Sequence, residues 1–308
     1  MSSRRSDLGN FMPSKNPLVW LITGTSSGFG RSLVRSVLAR GDRVIASARS
    51  IDKLKEDLDA GDLAGHGPDA LRLLKLDVTS GQQEIRQAIA QAASIWGRID
   101  VLVNNAGIGL PGLLEEGGSD LLRRQFETNV FGLMDVTTAT LPYMRAQKSG
   151  TIVNIGSRTT WKTEFVGIGF YGSSKAAVHA VSETLALEVA PFNIRVLLVA
   201  PGSFRTGIYS QPYFTSNPLE DYDSLRAESQ KRFASVPGTE KGDPDKAMEA
   251  LVDTVRSEGV ARENGRDGEW PGLLILGPDA EQDVRVKTSK VIEVLDKWGD
   301  VARNVVFS

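Results

Sequence analysis

Near its start the chain reads Leu18-Val-Trp-Leu-Ile-Thr-Gly-Thr-Ser-Ser-Gly-Phe-Gly30. Residues 18–23 form a short, continuous apolar run, which is typical of a strand buried on both faces of a sheet. Residues 29–40 then place apolar side chains at a helical period, and Gly41 ends that pattern. The stretch therefore predicts a buried strand, a glycine-rich turn and a helix in immediate succession.

The same alternation of strand and helix patterns continues along the chain. Strands are predicted at 43–48, 71–76, 99–103, 151–155, 194–199 and 273–276. Helices are predicted from about residue 51, at 81–96, at 119–147 with a kink or break at Pro142, at 171–190, at 244–258 and at 279–299. This alternation predicts an α/β fold: a single Rossmann-like, doubly wound parallel sheet of about seven strands, with helices on both faces and a C-terminal helical extension.

Two segments depart from the alternation. Residues 1–16 carry two arginines but no apolar run, so they are predicted to be a flexible tail in front of one domain at 17–308. Residues 203–242 contain three prolines and several aromatic residues among many polar ones. Long irregular segments in regular folds usually carry function, so this region is predicted to be a loop region that binds the substrate.

Composition excludes several classes of function. The formal charge of −2 gives no basic excess, so neither nucleic acid nor an anionic membrane is expected as a partner. The absence of cysteine excludes disulfides and thiol nucleophiles, and only two histidines leave no His-rich metal site. No apolar run reaches the roughly 18 residues that a membrane span needs. The first residues do not resemble a secretory signal, so a cytoplasmic location is expected.

The glycine turn at 24–30 allows two interpretations. Its glycines let backbone amides approach a pyrophosphate, and the following helix offers free N–H groups at its start, which favours dinucleotide binding. Gly24-Thr-Ser-Ser-Gly28 also fits the nucleophile elbow of a serine hydrolase, with Ser26 as nucleophile. That alternative needs a histidine on a loop beyond the late strands. His66 lies before most of the predicted sheet and His179 lies inside a predicted helix, so neither is suitable.

A tyrosine and a lysine stand four residues apart at the start of a predicted helix. Tyr171 and Lys175 therefore share one face of it. A cation beside a phenol favours the phenolate, and a phenol tuned in this way can exchange a proton with a carbonyl or an alcohol oxygen. Ser157 follows the predicted strand at 151–155, at the sheet edge where ligands of open α/β folds gather. Its hydroxyl could hydrogen-bond a substrate oxygen as charge develops there.

Taken together, these motifs resemble the short-chain dehydrogenase/reductase family. The residues that carry the resemblance follow the family's order along the chain: Thr23-Gly24-x3-Gly28-x-Gly30, Asp77, Asn104-Asn105-Ala106-Gly107, Asn129, Ser157, Tyr171-x3-Lys175 and Pro201-Gly202-x3-Thr206. The layout, with Trp270-Pro-Gly-Leu-Leu-Ile-Leu-Gly277 after a long loop, is similar to the branch that includes hydroxysteroid and retinol dehydrogenases.

The resemblance implies roles for these residues. Tyr171 would be the general acid/base, Ser157 would hold the carbonyl oxygen, and Lys175 would lower the pKa of the tyrosine and bind the nicotinamide ribose. Asn129 would support a water-linked proton path to Lys175. The residues implied to bind the cofactor are Gly24, Ser26, Ser27, Gly28, Phe29, Gly30, Arg49, Asp77, Val78, Asn104, Ala106, Gly107, Tyr171, Lys175, Pro201, Gly202 and Thr206.

The end of the second strand predicts the type of cofactor. Enzymes that use NAD usually place an acid there for the ribose 2′-hydroxyl, and enzymes that use NADP place an arginine for the 2′-phosphate. In this chain Ala48 fills the position of the acid and Arg49 follows it. Because arginine pairs well with phosphate, NADP(H) is predicted over NAD(H).

The expected reaction is reduction of a ketone or aldehyde, or oxidation of the secondary alcohol, in an apolar and bulky substrate. The candidate pocket residues are mostly apolar or aromatic: Thr159, Trp161, Phe165, Phe204, Ile208, Tyr209 and Tyr213. Phe165 stands where the family often has proline, and the gap from Ser157 to Tyr171 is one residue longer than is usual there, which indicates a remodelled pocket. A redox sensor that binds dinucleotide without turnover is the main alternative. A homodimer or homotetramer is expected from the resemblance.

Overall fold

The computed structural model describes residues 17–307 apart from 53, 56–62, 64, 264–265 and 267. These residues form one sheet of seven strands in the order β3-β2-β1-β4-β5-β6-β7, and every pair of neighbours is parallel. The strands are β1 Val19–Thr23, β2 Arg43–Ala48, β3 Leu71–Lys75, β4 Val101–Asn104, β5 Gly150–Ile155, β6 Ile194–Pro201 and β7 Leu273–Leu276. The predicted Rossmann-like fold is confirmed.

Eight helices flank this sheet in the described part of the chain. They are α1 Gly28–Ala39, α2 Gln82–Trp96, α3 Leu114–Phe126, α4 Leu133–Gln147, α5 Gly169–Val189, α6 Asp223–Ala234, α7 Pro244–Arg256 and α8 Pro278–Arg303. The last of these is the predicted C-terminal extension. Among the residues described, no helix is both long and apolar enough to cross a membrane.

Side chains of β1 alternate between two apolar cores, one on each face of the sheet. Trp20 and Ile22 pack in the core that includes side chains of α1 and α7. Val19 and Leu21 pack in the core that includes side chains of α2 and α4. All four are at most 1% exposed. Because successive strand residues point to opposite faces, a strand covered on both sides must be apolar throughout, as its sequence indicated.

The long helix predicted at 119–147 is divided in the structure. A π-helical segment at Glu127–Gly132 separates α3 from α4, and Gly118 interrupts the first turns of α3 with a positive φ of 52°. A π turn carries one extra residue per turn and is common at functional sites. Pro142 lies inside α4 and does not end it, so of the predicted kink or break the break is wrong and the kink stays a prediction.

The region 203–242 is more regular than its sequence indicated. It contains α6 and two short turns at Gly207–Ser210 and Glu220–Tyr222. The helix was missed because it is polar nearly all round: its buried members are Arg226 and Ser229. Arg226 reaches the buried Glu116 at the start of α3, which ties α6 to that helix.

Three predictions fall wholly or partly on residues that are not described. The tail at 1–16 lies outside the described residues. Of the helix predicted from about residue 51, residues 51–52 and 54–55 are helical and the following ones lie outside. The boundaries of a single domain at 17–308 stay a prediction.

Candidate active site

The turn between β1 and α1 depends on glycine at three points. Gly24 and Gly28 have positive φ values of 69° and 53°, which side-chain-bearing residues rarely adopt. Gly30 has an ordinary φ, but a Cβ atom there would lie 2.3 Å from the carbonyl oxygen of Gly24. The turn is therefore closely packed, and it brings backbone N–H groups at the start of α1 to the surface of a cleft.

Asn105 holds this turn in place, a role that sequence reasoning did not assign to it. Its side-chain Nδ2 donates to the carbonyl oxygens of Thr23 at 2.8 Å and Gly24 at 3.0 Å. In return, the Thr23 hydroxyl accepts from the backbone N–H groups of Asn105 and Ala106, both at 3.0 Å. The sequence offered one indication of this role, because Asn105 directly follows β4, the strand that pairs with β1.

A cleft of about 1010 Å³ runs along the carboxyl ends of the strands. It contains most of the residues expected at a dinucleotide site, which come from six separate segments. Those that line it are Gly24, Ser26, Ser27, Gly28, Phe29, Arg49, Asp77, Val78, Ala106, Gly107, Tyr171, Lys175, Pro201, Gly202 and Thr206. Gly30 lies beneath the turn, where its close approach to Gly24 shapes the cleft wall.

Asn104 does not line the cleft, which corrects the expectation for it. The residue is 4% exposed, and its Nδ2 donates to Thr137 Oγ1 on α4 and to Asn154 Oδ1 on β5, both at 2.8 Å. Side chains alternate along a strand, and this position of β4 faces the helix layer. Asn104 therefore ties two strands to α4 beneath the cleft floor.

The residues predicted to bind the substrate also fall into those that line the cleft and those that do not. Those that line the cleft are Thr159, Phe165, Phe204, Ile208, Tyr209 and Tyr213. Trp161 is not among the lining residues, because its ring packs edge-on against His179 with the centroids 4.9 Å apart. Phe204 belongs partly to the core, where it packs against Phe29 at 5.2 Å. Phe233 on α6 also lines the cleft, and sequence reasoning missed it together with its helix.

Ser157 and Tyr171 are brought together at the centre of the cleft. Ser157 lies two residues beyond the end of β5. Its backbone N–H donates to His179 Nε2 at 3.3 Å, and its hydroxyl accepts from Thr159 N at 3.1 Å. Tyr171 lies in the first turn of α5 and lines the same cleft, with its side chain near that of Ser157. The two hydroxyl groups can therefore contact a single oxygen atom of a bound molecule.

The pKa of Tyr171 differs from the expectation that Lys175 would lower it. Burial raises the pKa of Tyr171 to about 12, although the hydrogen bond from Ser157 acts in the opposite direction. Lys175 does not reverse this rise: its Nζ lies 5.8 Å from the centroid of the tyrosine ring and donates to the carbonyl oxygen of Ile155 at 2.6 Å. Burial also lowers the pKa of Lys175 to about 8. At neutral pH the tyrosine is therefore a phenol and most of the lysine is charged.

Asn129 lies in the π-helical segment, behind the cleft. Its Oδ1 accepts from Ile108 N at 2.9 Å, and its Nδ2 donates to Ile108 O at 2.9 Å and to Ser174 Oγ at 3.1 Å. A Cβ atom on Gly107 would lie 3.3 Å from Asn129 Oδ1 and 3.8 Å from Lys175 Nζ. Asn129 and Lys175 thus converge on Gly107, and Asn129 fixes the loop that follows β4.

The histidines do not support a hydrolase. His179 Nε2 is the acceptor for the backbone of Ser157, and His66 is exposed in the loop before β3. Ser26 lines the cleft from the glycine turn. Open α/β sheets bind ligands beyond the carboxyl ends of their strands, and here a paired phenol and hydroxyl occupy that place beside a glycine turn. This arrangement places the chain among the Rossmann-fold oxidoreductases.

Comparison with known proteins narrows the class to a family. The chain belongs to the short-chain dehydrogenase family, whose model matches residues 18–213. It is 42% identical over 194 residues to 3-ketodihydrosphingosine reductase from Bacteroides thetaiotaomicron, covering 62% of this chain and 65% of that protein. It is 33% identical over 223 residues to retinol dehydrogenase 16 from Homo sapiens, covering 69% of this chain and 65% of that protein.

Solved structures agree with this assignment. A short-chain dehydrogenase from Streptomyces avermitilis superposes with a TM-score of 0.79 at 36% identity, covering 95% of this chain and 100% of that chain. ElxO, solved with NADP bound, covers 85% of this chain and 97% of its own at 26% identity, with a TM-score of 0.65. A 3-ketoacyl-(acyl-carrier-protein) reductase from Brucella melitensis, solved with NADH, covers 88% of this chain and 100% of its own at 25% identity, with a TM-score of 0.67.

Proposed function

We propose that this protein is an NADP(H)-dependent oxidoreductase that reduces a ketone or aldehyde, or oxidises the corresponding secondary alcohol, in an apolar and bulky substrate. The observation that carries the proposal is the convergence of Tyr171 and Ser157 in a glycine-lined cleft beside Lys175. A bound nicotinamide supplies the hydride chemistry. The residues of this chain supply the proton and fix the substrate oxygen.

The proposed proton transfer follows from the protonation states. Ser157 holds the carbonyl oxygen, and Tyr171, protonated at neutral pH because its pKa is about 12, donates its proton as negative charge develops on that oxygen. Lys175 holds a positive charge near the phenol and favours the phenolate that remains. Asn129 fixes the loop at Ile108, next to Gly107, which lies near Lys175.

The cleft suits a dinucleotide. The crowding at Gly30, where a Cβ atom would lie 2.3 Å from a carbonyl oxygen, keeps the turn narrow, so a pyrophosphate could reach the N–H groups at the start of α1. Asp77 accepts from Thr79 N at 2.9 Å, and this turn places Asp77 and Val78 at the cleft wall as the proposed adenine contacts. Thr206 packs against Gly28 across the cleft as the proposed contact of the carboxamide.

Arg49 carries the proposed preference for NADP(H). It lies at the end of β2, is exposed and lines the cleft directly after the buried Ala48. The Arg49→Ala variant is expected to raise KM for NADPH at least tenfold and to change KM for NADH less than twofold, because a 2′-phosphate loses its pairing cation. Steady-state kinetics with both cofactors measure this, with the exposed Arg72→Ala as the matched control. A wild-type preference for NADH would contradict the proposal.

The proposed substrate class rests on the outer part of the cleft. Phe165, Tyr213 and Phe233 form an aromatic cluster there, with centroids 5.4 Å apart for Phe165 and Phe233 and 5.8 Å apart for Tyr213 and Phe233. Such a wall favours apolar surface with few polar contacts. The two related enzymes named above are consistent with this, since retinol and 3-ketodihydrosphingosine both carry a long hydrocarbon portion.

The Tyr171→Phe variant tests the reaction. It is expected to lower kcat for NADPH-dependent ketone reduction about 10²–10⁴-fold, because the proton donor is removed. Binding of NADPH, followed by fluorescence, is expected to stay within about twofold of the wild type. Tyr143→Phe on α4 is the matched control and leaves kcat unchanged. Binding of NADPH without turnover of any ketone in a broad panel would instead favour the redox sensor.

The expected homodimer or homotetramer stays a prediction. Several large apolar side chains at the surface of the described chain are consistent with association. Examples are Leu114 at 62% exposed, Phe131 at 52% and Leu187 at 78%.

A further inference from the structure

Ser157 begins an irregular segment whose position must be fixed by side chains. After β5 ends at Ile155, the chain makes one short turn at Arg158–Thr160 and enters α5 only at Gly169. A segment of this kind has no sheet or helix ladder to hold it, so its backbone can shift unless side chains anchor it. It carries Ser157 at its start and the pocket residue Phe165 further along.

Arg158 anchors this segment to the beginning of helix α8. Its Nη1 donates to Asp283 Oδ2 at 2.8 Å and lies 3.1 Å from Asp279 Oδ2, and its Nη2 donates to Ser203 Oγ at 3.0 Å. The guanidinium is only about one-quarter exposed and Asp283 about one-tenth. Charged hydrogen bonds are stronger than neutral ones, and partial burial reduces their screening by solvent.

One of these aspartates, Asp279, also holds the end of strand β6. Asp279 Oδ2 accepts from the backbone N–H of Ser203 at 2.8 Å. A Cβ atom on Gly202 would lie 1.9 Å from Asp279 Oδ1, so no larger residue fits at that position without movement. Arg158, Ser203 and Asp279 therefore join the ends of β5 and β6 to α8 in one closed set of contacts.

Two further ion pairs extend the contact along the helix. Lys162 Nζ lies 3.7 Å from Asp283 Oδ1, and Lys290 Nζ lies 3.1 Å from Glu164 Oε1. The Lys290–Glu164 pair is about half exposed on both sides, so it contributes little. The buried contacts near Arg158 are the ones that can fix the backbone next to Ser157.

We infer that Arg158 is a positioning residue, held by Asp283 and Asp279 of helix α8, which keeps the Ser157 hydroxyl opposite that of Tyr171. The inference rests on the proposed function of these two hydroxyl groups. A displacement of about 1 Å in such a group can cost about 100-fold in rate. The C-terminal helix is therefore part of the catalytic framework although none of its residues line the cleft.

The experiment compares Asp283→Ala with Glu281→Ala, which removes the same charge from the same helix. Glu281 pairs with Arg285 on the solvent-exposed side of α8. Asp283→Ala is expected to lower kcat for ketone reduction about tenfold and to leave KM for NADPH within about twofold. Glu281→Ala is expected to leave both unchanged. A kcat for Asp283→Ala equal to that of Glu281→Ala would overturn the inference.

Variants of Arg158 test whether the two residues act as a pair. Arg158→Ala is expected to lower kcat at least as much as Asp283→Ala, because it also removes the contacts to Asp279 and Ser203. The double variant is expected to be no worse than Arg158→Ala, because the contact between Arg158 and Asp283 is already lost in that variant. Arg158→Lys retains one charged contact and is expected to recover part of kcat. Additive losses in the double variant would contradict a shared role.

Hydrogen exchange separates this inference from the proposed function. Trp161 N and Lys162 N donate to the carbonyl oxygen of Arg158 at 2.9 Å and 3.0 Å and so report on the segment. Asp283→Ala is expected to speed exchange at 158–164 at least tenfold and to leave α7 unchanged, even in an enzyme for which no ketone is found. Unchanged exchange at 158–164 would overturn the inference while Tyr171→Phe still tests the reaction.

Discussion

The protonation states of two buried residues bear on the proposed proton transfer. Tyr171 keeps its proton because burial raises its pKa to about 12, and Lys175 keeps its charge only below about pH 8. Reduction needs the phenol and the nearby cation, whereas oxidation needs the phenolate. At neutral pH the site therefore holds the protonation states that the proposed reduction needs.

The pH dependence of reduction follows from Lys175. Because its pKa is lowered to about 8, the positive charge beside the phenol is lost above that pH. We expect kcat/KM for ketone reduction to be level from pH 6 to 7.5 and to fall towards tenfold per pH unit above about 8. A stopped-flow or steady-state series at constant ionic strength from pH 6 to 10 measures this.

Lys175→Arg is the control for this residue. Arginine keeps its charge throughout the range, so the variant is expected to be slower but to show no decline near pH 8. A decline near pH 8 that persists in this variant would assign the titration to another group.

At the scale of an element, the glycine turn depends on contacts from the neighbouring strand. Gly30→Ala is expected to raise Kd for NADPH more than tenfold, because the new Cβ atom would displace the carbonyl of Gly24, and with it the bond from Asn105. Gly67→Ala is the matched control, since Gly67 has open space around its Cβ position and an ordinary φ. Isothermal titration calorimetry with NADPH measures both, and equal affinities would show that the turn tolerates the change.

At the scale of the whole molecule, His179 links stability to acid pH. Burial and the charge of Lys175 lower its folded pKa to about 4, against an ordinary value near 6.5 in the unfolded chain. Between these values the unfolded chain binds the proton more readily, so the free energy of unfolding falls as the pH decreases from 6.5 to 4. We expect urea unfolding of the wild type to show a steeper decrease over this range than that of His179→Gln.

The exposed His66→Gln is the control for this measurement. It is expected to follow the wild-type curve, because this exposed side chain is not packed into the core. If His179→Gln also followed the wild-type curve, the acid sensitivity would belong to other groups.

The sequence by itself determined the sheet, the glycine turn and the pairing of Tyr171 with Lys175. Continuous apolar runs, closely spaced glycines and an i, i+4 pair act over a few residues, so their consequences can be derived from local spacing. Only the tertiary structure decided that Asn104 faces away from the cleft, that α6 brings Phe233 to the pocket, and that burial raises the pKa of Tyr171. It also joined Arg158 to Asp283 across 125 residues. Burial and contacts between distant segments depend on how the whole chain packs, and no local pattern encodes them.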